Sequence, residues 1–422
     1  MTSIAILAAV LALVSMVRIR ITKLPFTAPM IFVGAGMLLS PDVLNLFDVG
    51  LEEEGVVLIA ELTLGLLLFS DAARIDSATL RSSFSMPARL LSIGLPLTIG
   101  LGTVFALLLL DELSWAEAAL VAAVLAPTDA ALGQAVVANK SVPVRVRQTL
   151  NVESGLNDGL VVPVVAVFAA LAAGGVLESR GAILGEAAAE IGIGIAVGGV
   201  LGALLSRVNP WVHAKKWTDE GGAQLVAFSA AIVAFTASTA LGGNGFIAAF
   251  VCGLTVRALI GRSTADHVEL AENIGQVGAE VTFIVFGAKL VWPALGELTL
   301  PIIIFVILTL TVGRMLPVAL SLIGTGVKSW TVVFFGWFGP RGLASLLFGL
   351  LIVSEEGSGE SPLFTIITIT IFCSVVLHGI TAAPGAKAYS VWFSKHGRPE
   401  MAELGDMAES PIRWRLNKKP FS

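Results

Sequence analysis

Thirteen blocks of mainly apolar residues, separated by short polar stretches, constrain this chain more than any other feature of its sequence. Most blocks come close to the roughly 20 residues that a helix needs to cross about 30 Å of hydrocarbon. Lipid leaves unpaired backbone groups unsatisfied, and the blocks lack the alternation of membrane barrel strands, so each is predicted to be a helix or an interrupted helix. The blocks cover residues 3–17, 24–39, 55–70, 90–110, 116–137, 150–173, 182–205, 223–241, 246–260, 274–295, 300–323, 330–353 and 362–383.

The composition agrees with an all-α polytopic membrane protein. Apolar residues make up 56% of the 422 residues and charged residues only 14%, whereas soluble domains are about half apolar and a quarter charged. Basic residues follow the first block but none precedes it, so we expect this block to stay in the mature protein rather than to act as a cleaved signal peptide.

The basic residues also predict an orientation. If the amino terminus lies outside, every second loop faces the cytoplasm, and these loops are the basic ones, as the positive-inside rule requires. We therefore expect the amino terminus outside and the carboxyl terminus in the cytoplasm, in the cell (plasma or inner) membrane. The basic residues of these loops are Arg18, Arg20, Lys23, Arg74, Arg81, Arg89, Lys140, Arg145, Arg147, Arg207, Lys215, Lys216, Arg257, Arg262 and Lys328.

The predicted domain organisation is simple: a transmembrane domain at residues 1–383 and a short cytoplasmic tail at residues 384–422. The loops and this tail are too short for a separate nucleotide-binding domain, which an ATP-driven pump would need. No cofactor is expected.

Two blocks contain residues that interrupt a helix at membrane depth. In the fifth block, Pro127 removes a helix hydrogen bond next to the oxygen-bearing side chains of Thr128 and Asp129. In the twelfth block, Pro340 and Arg341 lie among glycines. The two blocks are seven apart, an odd number, so they run in opposite directions, as in the inverted repeats of secondary transporters.

The sixth block carries the densest group of polar residues. Ser154 and Asp158 share one helix face, and Glu153 and Asn157 share the neighbouring one, because residues four apart lie above each other. Hard cations prefer oxygen ligands, so Asp158, Ser154 and Thr128 are predicted to bind a monovalent cation. The alternative is a cluster that only joins helices through hydrogen bonds. Two carboxylates in one membrane helix favour a functional role.

A charge count supports the same prediction. Asp129, Glu153 and Asp158 oppose Arg314 and Arg341, so one cation or one proton neutralises the site. We predict that Arg314 pairs with Glu153 and that Arg341 balances Asp129, because buried cations need acidic partners or helix carbonyl ends. Asp158 is then left to alternate between a cation and a proton.

These residues resemble those of monovalent cation/proton antiporters of the NhaP/NHE type, over the membrane region to about Ala383. Such proteins carry a Thr-Asp pair on the fifth helix and an Asn-Asp pair on the sixth, with Glu four positions before the Asn. Here the pairs are Thr128 with Asp129 and Asn157 with Asp158, and the glutamate is Glu153. One departure is Ala130, where many relatives have Pro, which bears on the unwound geometry but not on the ligands.

The resemblance implies a role for each residue. Asp158 would bind both the cation and the proton, with Ser154 and Thr128 as further ligands. Asn157 and Asp129 would hold the broken helices, and Glu153 would pair with Arg314.

Asp71 resembles the carboxylate that these exchangers place near the ion on the third helix. Arg74 and Asp76 nearby leave a charge at the membrane edge as an equal alternative. The resemblance also implies an antiporter bundle with a dimerisation domain and a mobile six-helix core, assembled as a homodimer.

The predicted function is exchange of Na+, or Li+, for H+ in a one-to-one, electroneutral cycle, since Asn157 leaves a single titrating carboxylate in its pair. The partners are then the cation, the proton and the lipid bilayer, with no nucleic acid. Exchange of K+ remains open, because selectivity depends on cavity size and ligand number. More remote alternatives are a cation channel, and an intramembrane hydrolase that pairs Ser154 with His378.

Overall fold

The computed structural model describes residues 2–21, 26–47, 54–74, 85–129, 132–137, 139–173, 180–261, 267–356, 362–397 and 401–404, and across these ranges its regular structure is entirely helical. The helices are α1 (Thr2–Ile21), α2 (Ala28–Leu39), α3 (Glu54–Arg74), α4 (Ser85–Arg89), α5 (Leu95–Leu109), α6 (Trp115–Val124), α7 (Gln134–Val137), α8 (Val144–Ala173), α9 (Arg180–Ala214), α10 (Glu220–Ala240), α11 (Gly245–Ile260), α12 (Glu269–Lys289), α13 (Val291–Gly296), α14 (Leu300–Leu310), α15 (Val312–Ser321), α16 (Ser329–Trp337), α17 (Leu343–Glu356) and α18 (Pro362–His396). A π turn, Leu90–Gly94, joins α4 to α5.

The prediction of an all-α membrane protein is confirmed. Within the described ranges, six helical segments are long and apolar enough to cross a membrane. Each of the thirteen blocks coincides with at least one helix, but the helices outnumber the blocks because several blocks divide. The six segments are Met86–Leu109, Val144–Ala173, Gly181–Ala214, Glu220–Ala240, Leu300–Ser321 and Pro362–His396.

The fifth and twelfth blocks are interrupted, as predicted. Helix α6 ends at Val124 and α7 begins at Gln134, whereas α16 ends at Trp337 and α17 begins at Leu343. Two further breaks were not predicted. Helix α12 ends at Lys289, four residues before Pro293, whose ring would clash with that carbonyl in a continuous helix. The eleventh block divides between α14 and α15 at Thr311, whose φ of −110° and ψ of −90° are not helical.

Small residues allow helices α9 and α11 to approach each other closely. Gly194, Gly198 and Gly202 recur every four residues along one face of α9, and this face packs against α11. A Cβ atom at Gly198 would overlap the carbonyl oxygen of Ala248 on α11. Such small-residue faces bring helix backbones together in membranes, where water supplies no hydrophobic force between helices.

Three segments that the charge pattern assigns to the cytoplasm meet at one end of the structure. The Arg89 guanidinium donates to the carbonyl oxygen of Ile323 at 2.8 Å, beyond the end of α15. The Arg145 guanidinium, on α8, donates to the carbonyl oxygen of Ala402 at 2.6 Å. The backbone N–H of Lys328 also donates to Glu403, next to Ala402, so the loops before α5, α8 and α16 lie at the same end as the carboxyl-terminal segment.

The turn Ala402–Leu404 is held at this end by a fully buried carboxylate. Glu403 Oε1 accepts hydrogen bonds from the backbone N–H of Lys328 at 2.8 Å and from the Thr331 hydroxyl at 2.7 Å. The Tyr389 hydroxyl lies 2.9 Å from the same Thr331 oxygen and donates to it, because the single Thr331 proton is used on Glu403. The negative charge thus caps the positive amino-terminal end of α16.

Replacing Glu403 by Ala should lower the free energy of unfolding by about 2–3 kcal/mol, since hydrogen bonds to a charged group contribute about 1.5–3 kcal/mol each. The measurement is thermal unfolding of the detergent-solubilised protein. The matched control is Glu112→Ala, which removes an exposed loop carboxylate and should leave the melting temperature unchanged. Equal melting of both variants and the wild type would contradict the contact.

Candidate ion-binding site

The two interrupted helices cross at their breaks. The backbone N–H of Asp129 donates to the carbonyl oxygen of Pro340 at 2.8 Å. The carboxylate of Asp129 accepts a hydrogen bond from the backbone N–H of Leu343 at 3.0 Å. Leu343 is the first residue of α17, so Asp129 caps the positive end of a helix from a segment more than 200 residues away in sequence.

Arg341 makes the opposite contact. Its side chain is fully buried, and Nη1 donates to the carbonyl oxygen of Ala126 at 2.7 Å and lies 3.5 Å from that of Pro127. These carbonyls follow the end of α6, where the proline has no N–H to continue the helix. A guanidinium at a helix carbonyl end is favourable. Each broken segment therefore caps the other, one with an acid and one with a base.

Glycines make this crossing possible. A Cβ atom at Gly342 would overlap the Asp129 carboxylate, and one at Gly339 would overlap the Arg314 guanidinium. The glycines that the sequence places around Pro340 thus leave room for two charged side chains at the break.

Next to the crossing, oxygen atoms of α8 and of the first break form a compact cluster. The Ser154 hydroxyl donates to the Thr128 carbonyl oxygen at 2.8 Å, and the Asn157 amide donates to Thr128 Oγ1 at 2.7 Å. The two hydroxyl oxygens lie 3.1 Å apart. Because the one Ser154 proton is used on the carbonyl, Thr128 must donate in this contact. Each hydroxyl oxygen then accepts one hydrogen bond and keeps a second lone pair that a cation can use.

Asp158 lies one helical turn beyond Ser154 on the same face of α8 and is 8% exposed. The structure thus brings Thr128, Ser154 and Asn157 into direct contact and places the Asp158 carboxylate in the next turn. All four side chains are buried. A carboxylate, two hydroxyls and a carbonyl are the ligands that hard cations prefer.

Glu153 and Arg314 form an ion pair at 2.6 Å, and each side chain is only 3% exposed. Arg314 projects from α15, and its guanidinium lies against Gly339 in the second break. The pair therefore connects α8, which carries the oxygen cluster, to the crossing.

Asp71 lies half-buried on α3, a helix that packs against α8. Its predicted place near the ion remains a prediction. His378, the base of the hydrolase alternative, is placed elsewhere: its Nδ1 lies 3.1 Å from Ser374 Oγ, on its own helix α18, and the Ser154 hydroxyl donates to Thr128 instead.

The sequence predicts that Arg341 balances Asp129, whereas each of these side chains contacts the backbone of the opposite broken segment, and the sequence assigns no role to Ser374 at the crossing. The backbone N–H of Arg341 donates to Ser374 Oγ at 2.6 Å, and both residues are fully buried. The only signal in the sequence is a serine within an otherwise apolar stretch, which is common in membrane helices.

Comparison with known proteins decides the family. A family model described as "Sodium/hydrogen exchanger, transmembrane" matches residues 6–388. The chain belongs to this exchanger family. Its members are transporters rather than enzymes, so the antiporter resemblance of the sequence is confirmed and the hydrolase alternative falls away.

The names of the curated relatives of this chain mention two different cations. The chain is 27% identical over 391 residues to "K(+)/H(+) antiporter NhaP2" of Shewanella sp. (strain ANA-3), a match that covers 92% of this chain and 66% of the relative. It is 26% identical over 361 residues to "Na(+)/H(+) antiporter" of Schizosaccharomyces pombe, covering 76% of this chain and 75% of the relative. The chain spans just under two thirds of the length of the first relative.

Among solved structures, the chain is similar to the sodium proton antiporter MjNhaP1 from Methanocaldococcus jannaschii, solved at pH 8. The TM-score is 0.74 at 21% sequence identity, and the match covers 89% of this chain and 98% of the other. At this identity the similarity shows the fold, which confirms the predicted antiporter bundle.

Proposed function

We propose that the protein is a secondary antiporter that exchanges one monovalent cation for one proton across the membrane. The observation that carries this proposal is the crossing of two interrupted helices beside the oxygen cluster of Thr128 and Ser154. Secondary transporters bind their ions at such breaks, where irregular backbone is tolerated because protein covers it.

Asp158 is proposed as the group that binds both substrates. Asp129 caps α17 and Glu153 pairs with Arg314, so both of these carboxylates have structural roles. The residue before Asp158 is the neutral Asn157, whose amide is committed to Thr128. Asp158 is then the carboxylate that changes its occupant in the cycle, with Ser154 and Thr128 as further ligands of the cation.

The charges of Asp129, Glu153, Asp158, Arg314 and Arg341 explain why transport of the cation is coupled to transport of the proton. With Asp158 ionised and empty, three carboxylates face two guanidinium groups, and the site carries one net negative charge. A cation or a proton on Asp158 removes that charge. Moving an uncompensated charge through the low-dielectric core costs several kcal/mol. The site therefore switches between opening to one side of the membrane and opening to the other when a cation or a proton is bound, but not when it is empty.

Na+ is the cation we propose. The family model is described as a sodium/hydrogen exchanger, and the structurally similar MjNhaP1 is named a sodium proton antiporter. K+ is the second candidate, because several of the curated relatives are named K+/H+ antiporters. Dequenching of a pH-sensitive dye in proteoliposomes, on addition of Na+, Li+ or K+ in turn, distinguishes these cations.

One-for-one exchange predicts that the membrane potential has no effect. In proteoliposomes with no pH gradient and a fixed cation gradient, a potential imposed with valinomycin and K+ should leave the exchange of Na+ unchanged. If K+ is the substrate, a gradient of a lipophilic ion replaces valinomycin. Exchange that is driven or reversed by the potential would show net charge movement and would refute the assignment to Asp158 alone.

We also propose that the protein works as a homodimer in the cell membrane, with its amino terminus outside. The meeting of Arg89, Arg145 and the carboxyl-terminal turn at one end supports the orientation, because the basic loops belong in the cytoplasm. Light scattering in detergent tests the dimer, and labelling of single cysteines in intact cells tests the orientation.

A further inference from the structure

One face of α18 runs alongside the second break. Ser374, His378, Thr381 and Gly385 recur at spacings of four, three and four residues, so they lie in one row along the helix. The unwound segment at residues 338–342 packs on this row, since a Cβ atom at Gly385 would overlap the ring of Phe338.

Two hydrogen bonds hold the two sides of the break to this row. The indole N–H of Trp337, the last residue of α16, donates to Thr381 Oγ1 at 2.9 Å. The backbone N–H of Arg341, just before α17, donates to Ser374 Oγ at 2.6 Å. Helix α18 is continuous beside the break, so these two hydrogen bonds fix the distance between Trp337 on one side of the break and Arg341 on the other.

His378 lies between these two hydrogen bonds and is 2% exposed. Its Nδ1 is 3.1 Å from Ser374 Oγ and 3.0 Å from the Ser374 carbonyl oxygen, and its ring lies against the Trp337 indole with centroids 5.2 Å apart. The Ser374 carbonyl oxygen can only accept, so Nδ1 carries its proton toward that oxygen, and Ser374 Oγ lies beside this N–H. The imidazole is thus anchored to the Ser374 backbone and packs between Ser374 and the Trp337 indole.

We propose that Ser374, with His378 and Thr381, is a positioning element of the ion site, acting through Arg341. Ser374 holds the backbone of Arg341, and the Arg341 guanidinium holds the Ala126 carbonyl. Thr128, two residues after Ala126, supplies two oxygens of the cluster, its carbonyl oxygen and its hydroxyl oxygen. This inference rests on the proposed function. It adds residues that touch neither the cation nor its ligands but that set where one ligand lies.

The test is Ser374→Ala, measured by two readouts of cation affinity. The first is the cation concentration that gives half of the maximal thermal stabilisation in detergent. The second is the KM of exchange in proteoliposomes, determined separately from the maximal rate. Loss of one hydrogen bond corresponds to about 1 kcal/mol, so we expect both values to rise about 3- to 10-fold. Ser374→Thr keeps the hydroxyl and should restore the wild-type values.

Thr370→Ala is the matched control. Thr370 is a fully buried hydroxyl one turn earlier on α18, and its hydrogen bond goes to Ile366 of the same helix. Its loss should lower the melting temperature and leave the cation affinity unchanged. A purely structural role for Ser374 predicts the same pattern for Ser374→Ala, which would overturn the proposal.

Thr381→Val provides a second variant at a less buried position. It removes the acceptor of the Trp337 indole and should weaken cation affinity in the same direction, about 2- to 3-fold, because it loosens the side of the break farther from Arg341. If the wild-type protein exchanges cations for protons but Ser374→Ala and Thr381→Val bind the cation with unchanged affinity, the positioning role is wrong and the proposed function stands. Wild-type protein that exchanges none of the three cations contradicts the proposed function itself.

Discussion

Asp158→Asn is expected to abolish exchange completely while leaving the fold intact. The substitution keeps the shape of the side chain, but it replaces one acceptor oxygen by an NH2 donor and removes both the negative charge that the cation needs and the group that the proton occupies. Asn157 beside it is already an amide, so the variant would carry two consecutive amides on α8 and no carboxylate that can exchange its occupant. The variant should therefore transport neither the cation nor the proton.

The measurement is cation-dependent dye dequenching in proteoliposomes that contain equal amounts of folded protein. Asp111→Asn makes the same chemical change in an exposed loop and should exchange at the wild-type rate. Asp158→Glu keeps the charge and should retain part of the activity at a changed cation affinity. Exchange by Asp158→Asn at the wild-type rate would refute the central role of this carboxylate.

Competition follows from a shared group. Because the cation and the proton exclude each other at Asp158, acidification should raise the KM for the cation, while at high pH the return of the protonated carrier becomes limiting. The rate should therefore pass through a maximum with pH, and the acid limb should move to lower pH as the cation concentration rises.

The interrupted helices and the oxygen cluster could be predicted because both have local causes. Pro127 removes a helix hydrogen bond wherever the helix lies, and Ser154 and Asp158 share a face in any helix. A proline also follows the break at Lys289, but Pro163, Pro210, Pro317 and Pro384 lie inside continuous helices, so a proline alone does not predict a break.

The contacts of the crossing could not be predicted in the same way. A charge count assigns Arg341 to Asp129, whereas each of these side chains reaches the backbone of the opposite broken segment. Backbone carbonyls and N–H groups at helix ends carry partial charges that a count of ionisable residues omits. The contact between Ser374 and Arg341 depends on how α18 packs beside the break, which no local pattern in the sequence encodes.

Removing either partner of the Glu153–Arg314 pair should destabilise the protein by about 3–5 kcal/mol, because the remaining charge is left buried without compensation. Glu153→Met and Arg314→Met are the two single variants, and thermal unfolding in detergent is the measurement. The Arg74–Glu272 pair provides the control. The Arg74 side chain is 17% exposed, against 3% for Arg314, so water can reach the charge that Glu272→Met leaves behind, and this variant should cost less.

The double variant Glu153→Met with Arg314→Met separates the stability of the pair from its function. Replacing both charges by apolar side chains leaves no buried charge behind, so the double variant should melt well above either single variant. Exchange should nevertheless stay impaired, because the Arg314 guanidinium that lies against Gly339 in the second break is lost. If the losses of the two single variants simply add in the double variant, the two charges do not act as a pair.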